Sequence, residues 1–418
     1  METTTTNLRE SRGLALANRR ALKLKGNAWH VPSESGTTGY KVDLEMVTCN
    51  CADYMFRQVL CKHIYAAQFR AKELLSEVAD VRVKPIPFPP KYRKSYGQNW
   101  TAYNQAQTSE KSEFQRLLAQ LCSGVEEPAQ TTGRPRLPLA DMLFSCIFKS
   151  YSTFSGRRFN VDLQMAHTLG YLSRKPHYNS LFRYFEKPEL TPILEWLVEE
   201  SARPLSALET SFAMDATALG VTHGFSWKYA KYERPQMITK REWKKVHAIV
   251  GVKTNVICSA IVTAKTEHEM NYFAPLLEAA SRNFDVTEVL ADNGYLSKAN
   301  LQTAVDNGVY PYIAWRSNNR AGAKSGNELW DKLFHLFALN RPEFLRKYSM
   351  RSNAETTFSM LKMKFGAVLR SKTPTAQTNE ALARCVAHNL CCLIQSIFEL
   401  GINPEFAPKV LNDAPKPD

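Results

Sequence analysis

Acidic side chains are scarce relative to basic ones in this chain of 418 residues. Lys and Arg number 54 against 40 Asp and Glu, a net charge of +14, and the isoelectric point is near 9.3. That surplus points to a polyanionic partner, nucleic acid before membrane. Long apolar runs are also missing. The nearest approach to 18 uncharged apolar residues, 385–402, is interrupted by His388, Asn389, Gln395, Ser396 and Glu399, so it reads as a buried amphipathic helix and no membrane partner is expected. No apolar stretch follows the opening METTTTNLRE, so a secretory leader is not expected. Nine cysteines cannot all pair with one another. They are expected in a reducing, cytoplasmic setting, as metal ligands or core residues before disulfides. Internal repeats are absent too, which excludes a solenoid.

What is present is enough for several domains. A hydrophobic content of 44% with 22% charged residues suits a chain that buries real cores. The positive charge is concentrated. Residues 134–187 carry nine basic and three acidic side chains (+6), residues 228–245 seven and two (+5), and residues 341–372 eight and two (+6). The rest of the chain is close to neutral. Such stretches are ordinarily solvated surface, but these three flank the acidic motifs described below.

Residues 28–70 form a small unit with Trp29, Tyr40 and a group of Cys and His. Four prolines within 85–90 must end any helix, and a Gln-, Ser- and Thr-rich tract follows. The stretch 83–136 therefore reads as linker, with one short helix expected near 113–122. Residues 137–206 are helical by period, with Leu139, Met142, Leu143 and Cys146 on one face. From residue 207 to about 400 the pattern turns to α/β. A short strand ends at Asp215, and a β-branched hairpin spans 246–252 and 256–263. A helix over 270–280, a strand over 286–291, a helix over 298–306 and a strand over 309–314 come next, then helices. This order implies a mixed sheet with helices on its faces.

Cys49, Cys51, Cys61 and His63 offer three thiolates and one imidazole, the donor set of a closed tetrahedral zinc site. The one-residue gap inside each pair puts both ligands on one side of an extended segment. A unit this small has little core, so metal would supply much of its folding energy. Together with Trp29, Val31, Ser33, Tyr40 and Val42, this pattern resembles the SWIM zinc finger. The resemblance implies a Zn²⁺-dependent module that binds nucleic acid or protein and is not itself catalytic.

Tyr348, Arg351, Glu355 and Lys362 fall at i, i+3, i+7 and i+14, which on one helix makes a single polar stripe. An acid flanked by Arg and Lys on one face suits a metal held beside phosphates. Asp215 and Asp292 each stand where an apolar strand is expected to meet a loop, a usual ligand position in open α/β sheets. Any single Asp at such a place is more often a turn former. Taken together, Met214-Asp215-Ala216-Thr217, Ala291-Asp292-Asn293-Gly294-Tyr295 and the Tyr348, Arg351, Glu355, Lys362 block resemble the three motifs of bacterial insertion-sequence DDE transposases of the Tyr-Arg-Glu-Lys type. That resemblance covers about residues 135–400. It implies an RNase H-like catalytic domain that cuts transposon ends and joins them to target DNA. Asp215, Asp292 and Glu355 would ligate Mg²⁺ or Mn²⁺, and Tyr348, Arg351 and Lys362 would contact DNA phosphates. It also implies a helical DNA-binding region over 137–206 and a homodimer that pairs two ends. A finger upstream departs from the usual layout. A catalytically inactive, transposase-derived DNA-binding protein and an RNase H-like nuclease that cuts without joining are the other readings.

Lys245 and His247 are expected as a cross-strand polar pair, with reach toward the acidic site as the sharper reading. Cys385, His388, Cys391 and Cys392 share helical spacing but have apolar neighbours, so core packing outweighs a metal cluster. Trp227 and Trp243 are expected in packing before base stacking.

Overall fold

Among the residues described by a computed structural model, ten strands and a larger number of helices carry out this alternation. The structure describes residues 8–19, 22–25, 28–33, 39–44, 46–57, 59–78, 99–130, 132–133, 135–221, 242–316, 319 and 326–406. The strands in chain order are β1 (Lys23–Lys25), β2 (Ala28–Pro32), β3 (Gly39–Asp43), β4 (Thr48–Cys49), β5 (Ser211–Val221), β6 (Trp243–Gly251), β7 (Ile257–Ala264), β8 (Glu288–Ala291), β9 (Tyr310–Ile313) and β10 (Val368–Leu369). The chain divides into two compact units. One joins residues 1–89 to 296–349, and the other joins 90–295 to 350–418.

In the first unit β1 to β4 form an antiparallel sheet in sequence order. Trp29, Val31 and Val42 point from it into a core shared with Cys49, Cys51, Cys61, Ile64, Ala66 and Ala67. Phe334, on the helix Glu328–Leu339, completes that core, and Trp315, Ala338 and Leu339 pack against it. Trp315 meets the Trp330 and Phe334 rings edge-on at 4.7 and 5.3 Å, a favoured geometry for aromatic pairs. The helices Leu8–Arg19 and Lys62–Val78 approach so closely that a Cβ on Gly13 would lie 2.5 Å from the Tyr65 Cβ. Only glycine fits there.

The second unit is built on a mixed sheet in which β7, β6, β5 and β8 are neighbours. β5 pairs antiparallel with β6 along nine residues, from Phe212 with Gly251 to Gly220 with Trp243. On its other edge β5 pairs in parallel with β8 only from Ser211 to Met214, and with β10 only at Gly220 and Val221. Among the described residues no strand fills that edge between Met214 and Gly220. The hairpin of β6 and β7 forms as expected.

The C-terminal helix Pro374–Leu400 runs through this unit beside the helices Trp100–Ser123, Leu139–Ser152 and Leu190–Ala202. Its most apolar 18-residue window is 83% buried, as a core helix should be. Buried Asn389 ties it to β7, accepting from the Ile257 amide at 2.8 Å and donating to the Ile257 carbonyl at 2.8 Å. The side chain thus supplies the hydrogen bonds that an edge strand would otherwise lack. Cys385, His388, Cys391 and Cys392 are all buried in this helix. His388 Nε2 meets the Asn255 carbonyl at 2.9 Å, so packing is their role.

Two expectations need correction. The 83–136 linker contains a 24-residue helix, Trp100–Ser123, that buries Ala102, Ala106, Phe114, Leu117, Leu118 and Leu121. Its outer face supplies the Gln, Ser and Thr that make the tract look like linker, and Asn99 caps it by accepting from the Ala102 amide. The strand expected to end at Asp215 instead continues to Val221. Pairing with β6 overrides the weak strand preference of Ala and Gly. The proline run, Trp227 and residues 228–241 lie outside the described residues.

Candidate active site and metal centre

The metal centre is assembled within the first unit. Cys49 closes β4 and Cys51 follows after Asn50, while Cys61 precedes the helix Lys62–Val78 and His63 sits in its first turn. The second pair is therefore not extended, because the helix starts between its members. The three sulfurs and a ring nitrogen of His63 still lie within 4.8 Å of one another, and all four residues are buried. Neither ring nitrogen of His63 has a hydrogen-bond partner. An imidazole buried without partners costs free energy unless something else ligates it. Zinc fits this donor set. Without metal, the hydrogen bond from Cys49 holds the Cys61 thiol down to about 4. That same bond, followed by burial, pushes Cys49 up, and burial pushes Cys51 up. The Tyr40 ring lies 4.3 Å from that of His63.

The acidic residues belong to the second unit. Met214 and Ala291 are the last registered pair of the parallel strands β5 and β8. Asp215 is the next residue of β5 and Asp292 the residue just past β8, at the start of the gap along β5. Each aspartate spends one oxygen on the following backbone. Asp215 Oδ1 accepts from the Ala216 amide at 2.8 Å, and Asp292 Oδ1 accepts from the Asn293 amide at 2.6 Å. Arg351 donates to Asp215 Oδ2 at 3.1 Å and to Glu355 Oε1 at 2.6 Å. A guanidinium thus stands between the first and third carboxylates. It is 20% exposed, Asp215 is 17% exposed, and Glu355 lies open at 58%. The three carboxylates do not close on one another, since among the described residues it is the Cys and His cluster whose ligand atoms gather within 4.8 Å.

The single stripe expected over 348–362 is broken. One helix, Arg341–Tyr348, ends in a tight turn at Ser349–Arg351, and a second, Ser352–Phe365, carries Glu355 and Lys362. The hydroxyl of Ser349 takes the Arg346 carbonyl at 2.7 Å, and the Asn353 amide takes the Met350 carbonyl at 2.9 Å. Such side-chain bonds compete with helix continuation. Tyr348 belongs to the first unit, its ring stacked on Phe344 at 6.1 Å. Lys362 is half-buried and has no carboxylate partner among the described residues.

Burial raises the Asp215 carboxyl above its ordinary value. The Ala216 amide and Arg351 oppose that rise, while the charges of Glu269 and Asp292 add to it. Glu269 is a residue that sequence reasoning missed. Its Oε2 lies 3.0 Å from where a Cβ on Gly294 would stand, and its Oε1 takes Lys245 Nζ at 3.0 Å. Lys245 therefore reaches this acidic neighbour, while His247 is buried, meets Thr263 Oγ1 across the hairpin at 2.9 Å and stacks on Tyr272. No local spacing signals Glu269, because the approach depends on the missing side chain of Gly294. Trp243 packs under Lys265, whose Nζ stands 5.4 Å from the ring.

A search of curated proteins finds no match to the chain. Family models do match. Residues 207–390 fit the transposase DDE domain, and residues 40–70 fit the SWIM zinc finger. The first match spans the strands bearing Asp215 and Asp292 and the helix bearing Glu355, and the second spans the four zinc-type ligands. The chain thus carries a transposase DDE domain over residues 207–390 and, ahead of it, a SWIM zinc finger over residues 40–70.

Proposed function

We propose that this protein cuts DNA at transposon ends and joins the freed 3′-hydroxyl to target DNA, a cut-and-paste transposition. Asp215, Asp292 and Glu355 hold two Mg²⁺ or Mn²⁺ ions in this reading. The observation that carries it is the adjacency of Asp215 and Asp292 beyond the last β5–β8 pair, with Arg351 joining Asp215 to Glu355. Hard divalent cations take carboxylate oxygens and leave positions for water and phosphate. Bound there, such ions would supply charge stabilisation for the attacking and leaving oxygens of a phosphoryl displacement.

The chain's own residues prepare that site. Each aspartate keeps one oxygen on the following backbone amide, and the other oxygen of Asp215 is held by Arg351. Arg351 holds the third carboxylate in place by charge, and on DNA binding its guanidinium turns to a backbone phosphate; Lys362 and, from the first unit, Tyr348 are further phosphate contacts. Cys49, Cys51, Cys61 and His63 would hold Zn²⁺ as a closed four-ligand set, which would serve the fold of the finger. Two ends must be held together for joining, so the working assembly is a homodimer on DNA in the cytoplasm.

The test is a strand-transfer assay with matched end DNA, run with Mg²⁺ and with chelator. Nicked and joined products that appear only with metal support the reading. Nicks without joining make the protein a nuclease, and binding without nicks makes it a transposase-derived DNA-binding protein.

A further inference from the structure

The second unit contains a cavity of about 70 Å³, lined by Lys149, Phe182, Phe365, Arg370, Glu380 and Arg384 among others. A water needs about 10–15 Å³ on this measure, so the space suits several waters or one tetrahedral oxyanion. Its charge is positive and its acid is already spent. Glu380 accepts from the Arg370 amide at 3.0 Å, from the Ser371 amide at 2.7 Å and from the Arg384 guanidinium at 2.6 Å. Arg384 is 2% exposed, and it also donates to the Gly366 and Val368 carbonyls. That pair is neutral and structural. Arg370 reaches the Thr153 carbonyl, the end of the helix Leu139–Ser152. Lys149 is the residue left over. It is half-buried, its ammonium has no carboxylate or hydrogen-bond partner among the described residues, and that ammonium stands 5.9 Å from the Phe159 ring.

A half-buried ammonium without an anion is costly, and a second cation beside it adds repulsion. From this we infer that the cavity is a phosphate-binding site, in which Lys149 and Arg370 grip one oxyanion. Burial first, then the charge of Arg370, holds Lys149 down to about 8, against the opposing charge of Glu380 and with a further push from Arg384. An anion in the cavity would raise it again, so that binding at pH 8 takes up part of a proton.

Resting on the proposed function, the site has a natural occupant in the DNA backbone. Phe365 closes the helix that carries Glu355 and Lys362. Ten residues separate Phe365 from Glu355, about 15 Å at 1.5 Å per residue. That is about four base steps at 3.4 Å per step on one strand. A phosphate in the cavity would hold DNA a few nucleotides from the carboxylates.

The experiment compares the full-length protein with Lys149→Met and Arg370→Gln. Calorimetry with inorganic phosphate and duplex binding against salt are the two measurements. Lys149→Met removes an uncompensated charge at similar volume, so its melting temperature stays level or rises. Arg370→Gln keeps the backbone amide that Glu380 uses. Loss of one phosphate contact lowers the log–log salt slope for duplex by about 0.9, so between 50 and 200 mM salt the variant loses about 3.5-fold less affinity than the parent. A lowered slope assigns the site to the DNA backbone. Phosphate binding that takes up part of a proton at pH 8 and vanishes in Lys149→Met, with the duplex slope unchanged, assigns it to a free phosphate. If well-folded variants match the parent in both measurements, the inference is overturned. Because the readout is binding, an absence of cleavage in the strand-transfer assay leaves this result intact.

Discussion

Arg351→Ala separates a structural arginine from one that stands in for a cation. The guanidinium is largely shielded and joins two carboxylates, one of them largely shielded itself. Removing it leaves Asp215 beside Asp292 and Glu269 with no counter-charge at that oxygen. Breaking a fully buried pair costs about 3–5 kcal/mol, and an exposed one under about 1 kcal/mol. Since Asp215 is mostly shielded and Glu355 mostly open, a loss of about 2 kcal/mol is expected without metal. For a domain of this size that is about 4–8 °C in melting temperature. Divalent cation then recovers more in the variant than in the parent, because no arginine has to be displaced. At a free metal concentration of 100 times the dissociation constant, recovery approaches about 2.7 kcal/mol. Differential scanning fluorimetry with and without Mn²⁺ reads both quantities. If Arg351→Ala melts with the parent in chelator, and Mn²⁺ shifts both equally, the arginine does not occupy a cation's place and the metal site lies elsewhere.

Other outcomes can be checked alongside it. Asp215→Asn, Asp292→Asn and Glu355→Gln each abolish metal-dependent cleavage in a gel assay and leave end binding within a few-fold; cleavage at the parent's rate removes that residue from the site. Lys362→Ala lowers the salt slope of duplex binding by about 0.9, and an unchanged slope removes the phosphate contact. Zinc chelation, or Cys61→Ala, melts the first unit, including residues 296–349; protease mapping that finds only 28–70 released contradicts the shared core. His247 and His388 are both held neutral by burial, each down to about 4 from an ordinary 6.5. The unfolded chain therefore binds more protons, so stability is full above pH 6.5 and falls as pH drops toward 4. The slope approaches about 1.4 kcal/mol per pH unit for each histidine. His388→Gln flattens the melting-temperature profile over that window, and a profile with the parent's slope rules His388 out.

The sequence made some of this legible and hid the rest for physical reasons. Zinc-type ligands are readable because two tight pairs of soft and borderline donors rarely serve anything else, and the hairpin is readable because β-branched residues crowd it. The gap along β5 is invisible, since it depends on where β8 stops pairing and β10 starts. The turn at Ser349–Arg351 is hidden because helical spacing alone counts residues and not the hydroxyl that captures a carbonyl. Glu269 escapes notice because it is one of several ionisable residues in 265–269 and nothing in that run singles it out, while its approach is permitted by a glycine 25 positions away. The helix Trp100–Ser123 is masked by its own polar outer face.

Phe334 and Trp315 seal the same core that holds the zinc-type cysteines, although they are encoded between the second and third acidic motifs. The finger is thus no detachable appendage. A truncated gene starting after residue 89 would leave those aromatic rings bare on a loop anchored at Tyr295 on one side and Met350 on the other. Such a shortened product should clump instead of behaving as a free-standing enzyme. Evolution could not have gained or shed this module by simple end-joining without also refitting the insert that meets it.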